Sequence, residues 1–319
     1  MDYFDRRTQA ILLAAAIALT AIAPFVVYPM FLMKLMCFAL LAASVNLLVG
    51  YVGLLSFGHA MFYGAAGYVT AHAVKVWGWD GAAGILAGVV AAAAVGLITG
   101  LLAIRRSGIY FSMITLAFAQ LVYFIALRMP FTGGEDGIQN IPRPQVLGLL
   151  SLADANTLYY FVAAMICFGF WVIHRVVHSP FGQVLRAIRD NEPRAQSLGY
   201  RVNRYKLVAF VLSAALAGLA GSLKVLVFQL ASLTDVQWTT SGEALLICIV
   251  GGMHTLLGPV IGSIVIVTME NYLASFAEWV LIIQGAVFVV VVMLFRKGLV
   301  GQFYAYLATR RQRRAAASA

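Results

Sequence analysis

Charge is what this sequence has least of. Asp, Glu, Lys and Arg make up 11% of its 319 residues, against about 25% in an ordinary soluble domain. Hydrophobic residues reach 62%, above the roughly 45–50% of such a domain. A soluble fold of this size leaves about a quarter of its unfolded surface in water, too much for so apolar a chain. Cysteine is scarce too. Cys37, Cys167 and Cys248 each sit inside an apolar run and form no C-x-x-C, and the five histidines do not cluster with them. A disulfide scaffold and a Cys/His metal site are therefore not expected. No run alternates over ten residues in the manner of a transmembrane strand, which excludes a β-barrel. Nucleotide chemistry is missing as well. A P-loop needs Lys followed by Ser or Thr, whereas the five lysines here precede Leu, Val, Leu, Val and Gly. No H-E-x-x-H occurs, and no nucleophile constellation points to an enzyme. No cofactor or metal is expected.

What the chain has is apolar length. Ten segments stand out, near 10–28, 31–49, 56–74, 82–104, 109–127, 158–176, 207–229, 243–256, 258–275 and 278–295. A helix needs about 20 apolar residues to cross the roughly 30 Å of hydrocarbon. The expected fold class is an all-α polytopic bundle. Gly251-Gly252, Gly258-Pro259 and Gly262 interrupt the stretch 243–275, so it reads either as one long broken helix or as two short ones.

The distribution of positive charge chooses between these. Two basic residues lie at the N-terminus, two at 105–106, seven from Arg175 to Lys206 and six from Arg296 to Arg314. These are 17 of the 22 Lys and Arg. The alternate loops carry Lys75, Arg128 and Arg143, and Lys34 and Lys224 fall within segments. The positive-inside rule places the 17 in the cytoplasm together with both termini. Two cytoplasmic termini require an even count, so 243–275 crosses twice and ten spans result. The N-terminal Arg6-Arg7, apolar run and Ala21-Ile22-Ala23 resemble a signal peptide. Pro24 and the continuing apolar run favour a retained first helix.

Two connections are long. Residues 128–157 are Gly- and Pro-rich, with Thr132 to Gly137 acidic, and little regular structure is expected there. Residues 178–206 differ. Phe181, Val184, Leu185 and Ile188 follow the i, i+3, i+4, i+7 spacing of an amphipathic helix. Pro193 suits the first turn of a second helix, and Gly199 suits its C′ position. A helix–turn–helix knob on the cytoplasmic face is expected. The competing readings are an interfacial helix lying on lipid and a stripe that packs back onto the permease, and the stripe is expected to hold the knob partly to its own bundle.

Small residues recur at four-residue spacing: Gly84/Gly88, Ala92/Gly96/Gly100 and Ala214/Gly218/Ser222. This spacing lets helices approach closely, within the chain or against a partner. Polar residues inside segments are few: Asn46, Ser56, His59, Gln120, Lys224, Glu243, Glu270, Asn271 and Gln284. Lys34, Lys224, Glu243 and Glu270 fall toward outer ends, where long side chains reach the interface. No carboxylate is clearly at mid-depth, as a proton-relay carrier would need. The segments around 46–60 and 243–262 are the most interrupted by glycine. Transporters place solute near such discontinuous helices. Asn46, Ser56 and His59 are therefore the expected pathway residues, with the two segments in related positions of an inverted repeat.

Asn46-Leu-Leu-Val-Gly50-Tyr-Val-Gly53-Leu-Leu-Ser56-Phe-Gly58-His59-Ala60 resembles the signature of LivM-like permeases, transmembrane subunits of branched-chain amino acid ABC importers. Three further stretches agree: Arg106-Ser-Gly108-Ile-Tyr110-Phe through Gln120, Ser179-Pro-Phe-Gly182-Gln through Gly199, and Gly251-Gly-Met253 through Gly262. The resemblance covers about 35–300. It implies a type II importer architecture and a coupling loop that docks into a cytoplasmic ATPase. Glu192, Ala195 and Gly199 match that loop's degenerate pattern, while Pro193 and Arg194 stand where alanines are common. Phe181, Arg186 and Arg189 complete the expected coupling surface, with the arginines at its rim. His254 stands where a small residue is usual, and as a lone histidine in an apolar turn it reads as a loop residue.

The implied partners are a LivH-like permease as heterodimer, two ATP-binding subunits, a periplasmic solute-binding protein and membrane lipid, with no nucleic acid. The implied solute is a branched-chain amino acid or a related small polar molecule such as urea or a short amide. The implied location is the bacterial inner membrane. The expected domains are one permease unit over 1–300, containing the 178–206 element, and a basic tail over 301–319. The alternative is a stand-alone ion-coupled carrier.

Overall fold

The computed structural model describes residues 23–25, 27–146, 150–273, 279–294 and 298–302. Eleven α-helices follow in order among these: α1 (Pro29–Asn46), α2 (His59–Lys75), α3 (Gly81–Ala103), α4 (Ile109–Arg128), α5 (Ala155–Val177), α6 (Pro180–Asp190), α7 (Glu192–Ser197), α8 (Val202–Phe228), α9 (Trp238–Gly251), α10 (Gly258–Leu273) and α11 (Val280–Leu294). A π-helical turn, Leu47–Val52, continues α1.

Five helices are long and apolar enough to cross a membrane: α1 with its π turn, α3, α4, α5 and α8, of 24, 23, 20, 23 and 27 residues. The chain is a multi-pass membrane protein. The other expected segments form shorter helices of 17, 14, 16 and 15 residues in α2, α9, α10 and α11. Most of the first expected span, 10–28, and the tail after 302 lie outside the described residues.

Burial separates the centre from the periphery. In α1 and α8, 83% and 78% of the most apolar window is buried, against 33% in α3 and 28% in α4 and α5. The peripheral helices turn Leu86, Val90, Leu97, Ile98, Leu121 and Phe124 outward, as helices solvated by lipid do.

The small-residue stripes are used within the chain. A Cβ on Gly88 would strike Ser222, one on Gly218 would strike Ala92, and one on Gly96 would strike Ala214. The pairs run in opposite directions along the chain, so α3 and α8 are antiparallel with their stripes in register. Close backbone approach replaces the hydrophobic driving force that lipid removes. The same economy of space shapes 243–275. Gly251 abuts the Gly258 carbonyl and Gly262 the Ile247 carbonyl. So α9 and α10 fold back as a tight hairpin through the turn 252–257 rather than as one broken rod.

The 128–157 connection is more ordered than its composition predicts. Gln145–Val146 and Leu150–Ser151 form a short antiparallel ladder, β1 and β2. Ile138 exchanges both backbone hydrogen bonds with Ala231, at 3.0 and 2.9 Å. The loop thereby takes up backbone groups beyond the end of α8 that would otherwise lack partners.

Candidate functional site

Where α1 ends, the helix widens. Its π turn closes on Gly53, which is left-handed at φ 80°, while the Leu54 N–H reaches the Leu48 carbonyl at 3.1 Å. Single π turns inside helices recur at functional positions, because they release backbone groups from the regular ladder. Asn46, at the junction, is buried and bridges to the α9–α10 turn. Its Nδ2 donates to the Thr255 carbonyl at 2.9 Å, and its Oδ1 accepts from the His254 N–H at 3.3 Å. The two glycine-interrupted segments therefore meet at Asn46.

The turn itself is made with unusual backbone. Gly252 has φ 115° and His254 φ 69°, the latter a left-handed conformation uncommon for any residue other than glycine. Thr255 Oγ1 donates to the Gly252 carbonyl at 2.8 Å and accepts from the Gly258 N–H at 3.0 Å, starting α10. His254 Nδ1 lies 2.6 Å from the Gly50 carbonyl. A carbonyl only accepts, so this contact is a hydrogen bond with the proton on Nδ1. Arg189 Nη1 donates to the same carbonyl at 2.7 Å and passes 3.1 Å from the ring nitrogen.

Outside the long helices, α6 and α7 form the expected knob. Ser179 caps α6 through the Gly182 N–H at 3.3 Å, and Asn191 caps α7 through the Arg194 N–H at 3.0 Å. Each cap is followed by a proline in the first turn, the position where a missing N–H costs nothing. Five of the six residues read as a coupling surface turn toward the chain's own bundle. Phe181 stacks on Tyr205 at 5.5 Å. Arg186 donates to the Val177 carbonyl at 3.1 Å and lies 5.6 Å over the Tyr51 ring. Arg189 reaches Gly50. Glu192 pairs with Lys206 at 2.8 Å, and Ala195 is buried against Ile188 and Val202. Gly199, at φ 87° with open space where a Cβ would stand, lies on the outer side. Beside it are residues the sequence reading passed over: Leu198 is 70% exposed and Tyr200 40%, with Arg194 and Gln196 also outward. Their sequence signal was weak, since a Leu and a Tyr flanking a helix stop look like ordinary packing.

Ser56 and His59 are fully buried. The Ser56 hydroxyl accepts from the Gly58 N–H at 3.2 Å. His59 Nε2 lies 2.9 Å from Ser213 Oγ, whose own proton goes to the Ser44 carbonyl at 2.6 Å. The ring is therefore the donor to Ser213, and its buried Nδ1 has no partner among the described residues. Ser241 of α9 accepts from the Ala60 N–H at 2.7 Å, and Thr115 of α4 from the Phe57 N–H at 3.2 Å. These hydroxyls occupy donors at the start of α2 that no earlier turn could satisfy. Thus Asn46 joins the 252–257 turn, whereas Ser56 and His59 organise the helix start beside it.

At the opposite end the lysines do not simply reach outward. Lys34 pairs with Glu270 at 2.9 Å, and Lys224 with Asp235 at 2.6 Å in a largely buried contact. Pairing offsets the cost of charge beside hydrocarbon. Glu243 keeps one buried oxygen without a partner among the described residues.

The sequence that folds into this bundle matches a known family. The family model "Branched-chain amino acid transport system / permease component" matches residues 27–292. The high-affinity branched-chain amino acid transport system permease protein LivM of Escherichia coli is 28% identical over 292 residues, 83% of this chain and 68% of that protein. LivM of Salmonella typhimurium is 29% identical over 290 residues, with the same coverage. The autoinducer 2 import system permease protein LsrC of Klebsiella pneumoniae is 28% identical over 220 residues, 63% of this chain and 59% of its own. No solved structure matches the chain. With the family model spanning most of the sequence, the chain belongs to the branched-chain amino acid transport permease family and is a transport permease, not an enzyme.

Proposed function

We propose that the chain is one transmembrane half of an ABC importer in the bacterial inner membrane. It moves a branched-chain amino acid, or a related small polar solute such as urea or a short amide, into the cytoplasm. The observation that carries this reading is the α6–α7 knob. It is a compact, doubly capped element whose inner side is fastened to the bundle and whose outer side presents Leu198, Gly199 and Tyr200 between Arg194 and Gln196. A helix that merely lay on lipid would point its apolar stripe outward, whereas Leu185 and Ile188 are buried within the chain. The outer side fits a cleft on a separate ATP-binding subunit, and this chain carries no P-loop lysine of its own.

In this reading α2, α9, α10, α11 and the segment 10–28 complete ten spans of a type II importer, with both termini and the knob in the cytoplasm. The loop charges support that orientation. The full assembly pairs this permease with a homologous LivH-like one, two ATPases and a periplasmic solute-binding protein. ATP-driven closure of the ATPases displaces the knob and shifts the bundle between inward- and outward-open states. Asn46, Ser56 and His59 shape the pathway by setting the breaks in its wall. The test is co-purification. The permease should retain its ATPases, and Leu198→Asp with Tyr200→Asp should release them from a folded permease. Full retention by that variant places docking elsewhere.

A further inference from the structure

We propose that Arg189 and His254 form a strut that carries displacement of the knob into the broken segments at Asn46. The proposal rests on the import reading and adds to it the residues through which coupling passes. Three stretches far apart in sequence converge on one backbone carbonyl. Gly50 O accepts from Arg189 Nη1 at 2.7 Å and from His254 Nδ1 at 2.6 Å. That carbonyl lies at the C-terminal end of the α1–π helix, where carbonyls lack intrahelical donors and the helix dipole favours a cation. Arg189 supplies the cation from the last turn of α6. Its other nitrogens bind Asp190 Oδ1 at 3.0 and 2.8 Å, which holds the guanidinium plane toward Gly50.

The fit leaves no slack. A Cβ on Gly50 would come within 2.6 Å of Asn46 Oδ1, and one on Gly53 within 2.9 Å of Arg189 Cγ. Tyr51 adds a bond from its hydroxyl to the His254 carbonyl at 3.3 Å.

Beyond this node, displacement has a rigid body to act on. Asn46 binds Thr255 and His254 near one end of α1, and Lys34 binds Glu270 near the other. α1 and α10 are thus pinned at both ends in antiparallel register. A push on α6 through Arg189 moves this pair as a unit instead of bending one helix. Arg189 and His254 are positioning residues. They touch no solute in this account, and their effect is on how the knob and the bundle move together.

The experiment uses the complete transporter in lipid nanodiscs, in a Cys167→Ser background because Cys167 is exposed. Spin labels go on Gln196 of the knob and Met253 of the turn, and double electron–electron resonance reads the distance between them. The wild type should give one narrow distribution with and without ATP. Arg189→Ala and His254→Ala should broaden it, and Arg189→Lys, which keeps the positive charge and a donor nitrogen, should recover most of it. In the same samples, solute moved per ATP hydrolysed should fall about tenfold in the alanine variants, the size of one charge-assisted hydrogen bond biasing two states. The ATPases should still co-purify. An unchanged 196–253 distribution in Arg189→Ala overturns the strut. Loss of the ATPases from that variant also overturns it, by making Arg189 a docking residue. If wild type shows no ATP-dependent uptake, the import reading fails, while the distance distributions still decide whether Arg189 and His254 hold knob and turn together.

Discussion

Glu192 of α7 holds the Lys206 ammonium at 2.8 Å, and the Lys206 side chain is only 4% exposed. The pair ties the far half of the knob to the root of α8. Removing one partner of such a pair strands a charge away from water. Glu192→Gln should therefore lower stability by about 2 kcal/mol, below the value for a fully buried pair because Glu192 is partly exposed. Glu192→Gln with Lys206→Met should regain most of the loss. Thermal unfolding in detergent measures both. Equal losses in the single and double variants would show that the pair contributes shape and not charge compensation.

The α3–α8 contact predicts a contrast between glycines. A Cβ on Gly88 would overlap Thr70 and Ser222, whereas nothing approaches that position on Gly242 or Gly285. Gly88→Ala should destabilise by about 1–3 kcal/mol through overpacking. Gly285→Ala, on an open helical site, should be neutral or stabilising by up to ~1 kcal/mol. Melting temperatures of the two variants, measured side by side, separate these outcomes. Equal shifts would mean that the stripe is not a packing seam.

Much of this was legible in the sequence, for physical reasons that can be named. Four-residue spacing of small residues is itself a statement about helix approach, so both stripes of the seam were visible, although their mutual register was not. The stripe Phe181, Val184, Leu185, Ile188 has a helical period, and Pro193 and Gly199 are local start and stop signals, whereas the Ser179 cap of α6 was passed over. The direction of Arg186 and Arg189 was not legible. Both were read as rim charges facing a partner, because nothing local distinguishes an arginine that seeks solvent from one that caps a carbonyl 139 residues away. The Asn46–Thr255 bond spans 209 residues and leaves no periodic trace. His254 read as an ordinary loop residue for the same reason. The loop 128–157 looked irregular because its ordering comes from α8, not from its own composition.

Orientation is testable by labelling. Asn140 is exposed on the long loop and Gln196 on the knob. Ala195 is buried and would report poorly. In a Cys167→Ser background, cysteines at 140 and 196 should react with a membrane-impermeant maleimide from opposite sides, the knob from the cytoplasm. Reaction of both from one side contradicts the ten-span arrangement.

Docking is tested at the outer side of the knob. Leu198→Asp with Tyr200→Asp should lower the melting temperature of the isolated permease by no more than about 4 °C, since Leu198 is 70% exposed and Tyr200 gives up only an edge contact with Tyr205 at 6.0 Å. Pull-down should show lost ATPase. A variant that unfolds would instead place these residues in the knob's own packing.

The most direct test is uptake by the reconstituted complex: both permeases and both ATPases in proteoliposomes, with the binding protein outside and labelled leucine, urea and a short amide supplied in turn. The account predicts that one of these solutes accumulates only when ATP is present on the side of the knob, and that an imposed proton or sodium gradient has no effect. Accumulation that follows an ion gradient without ATP would contradict it and make the chain a stand-alone carrier.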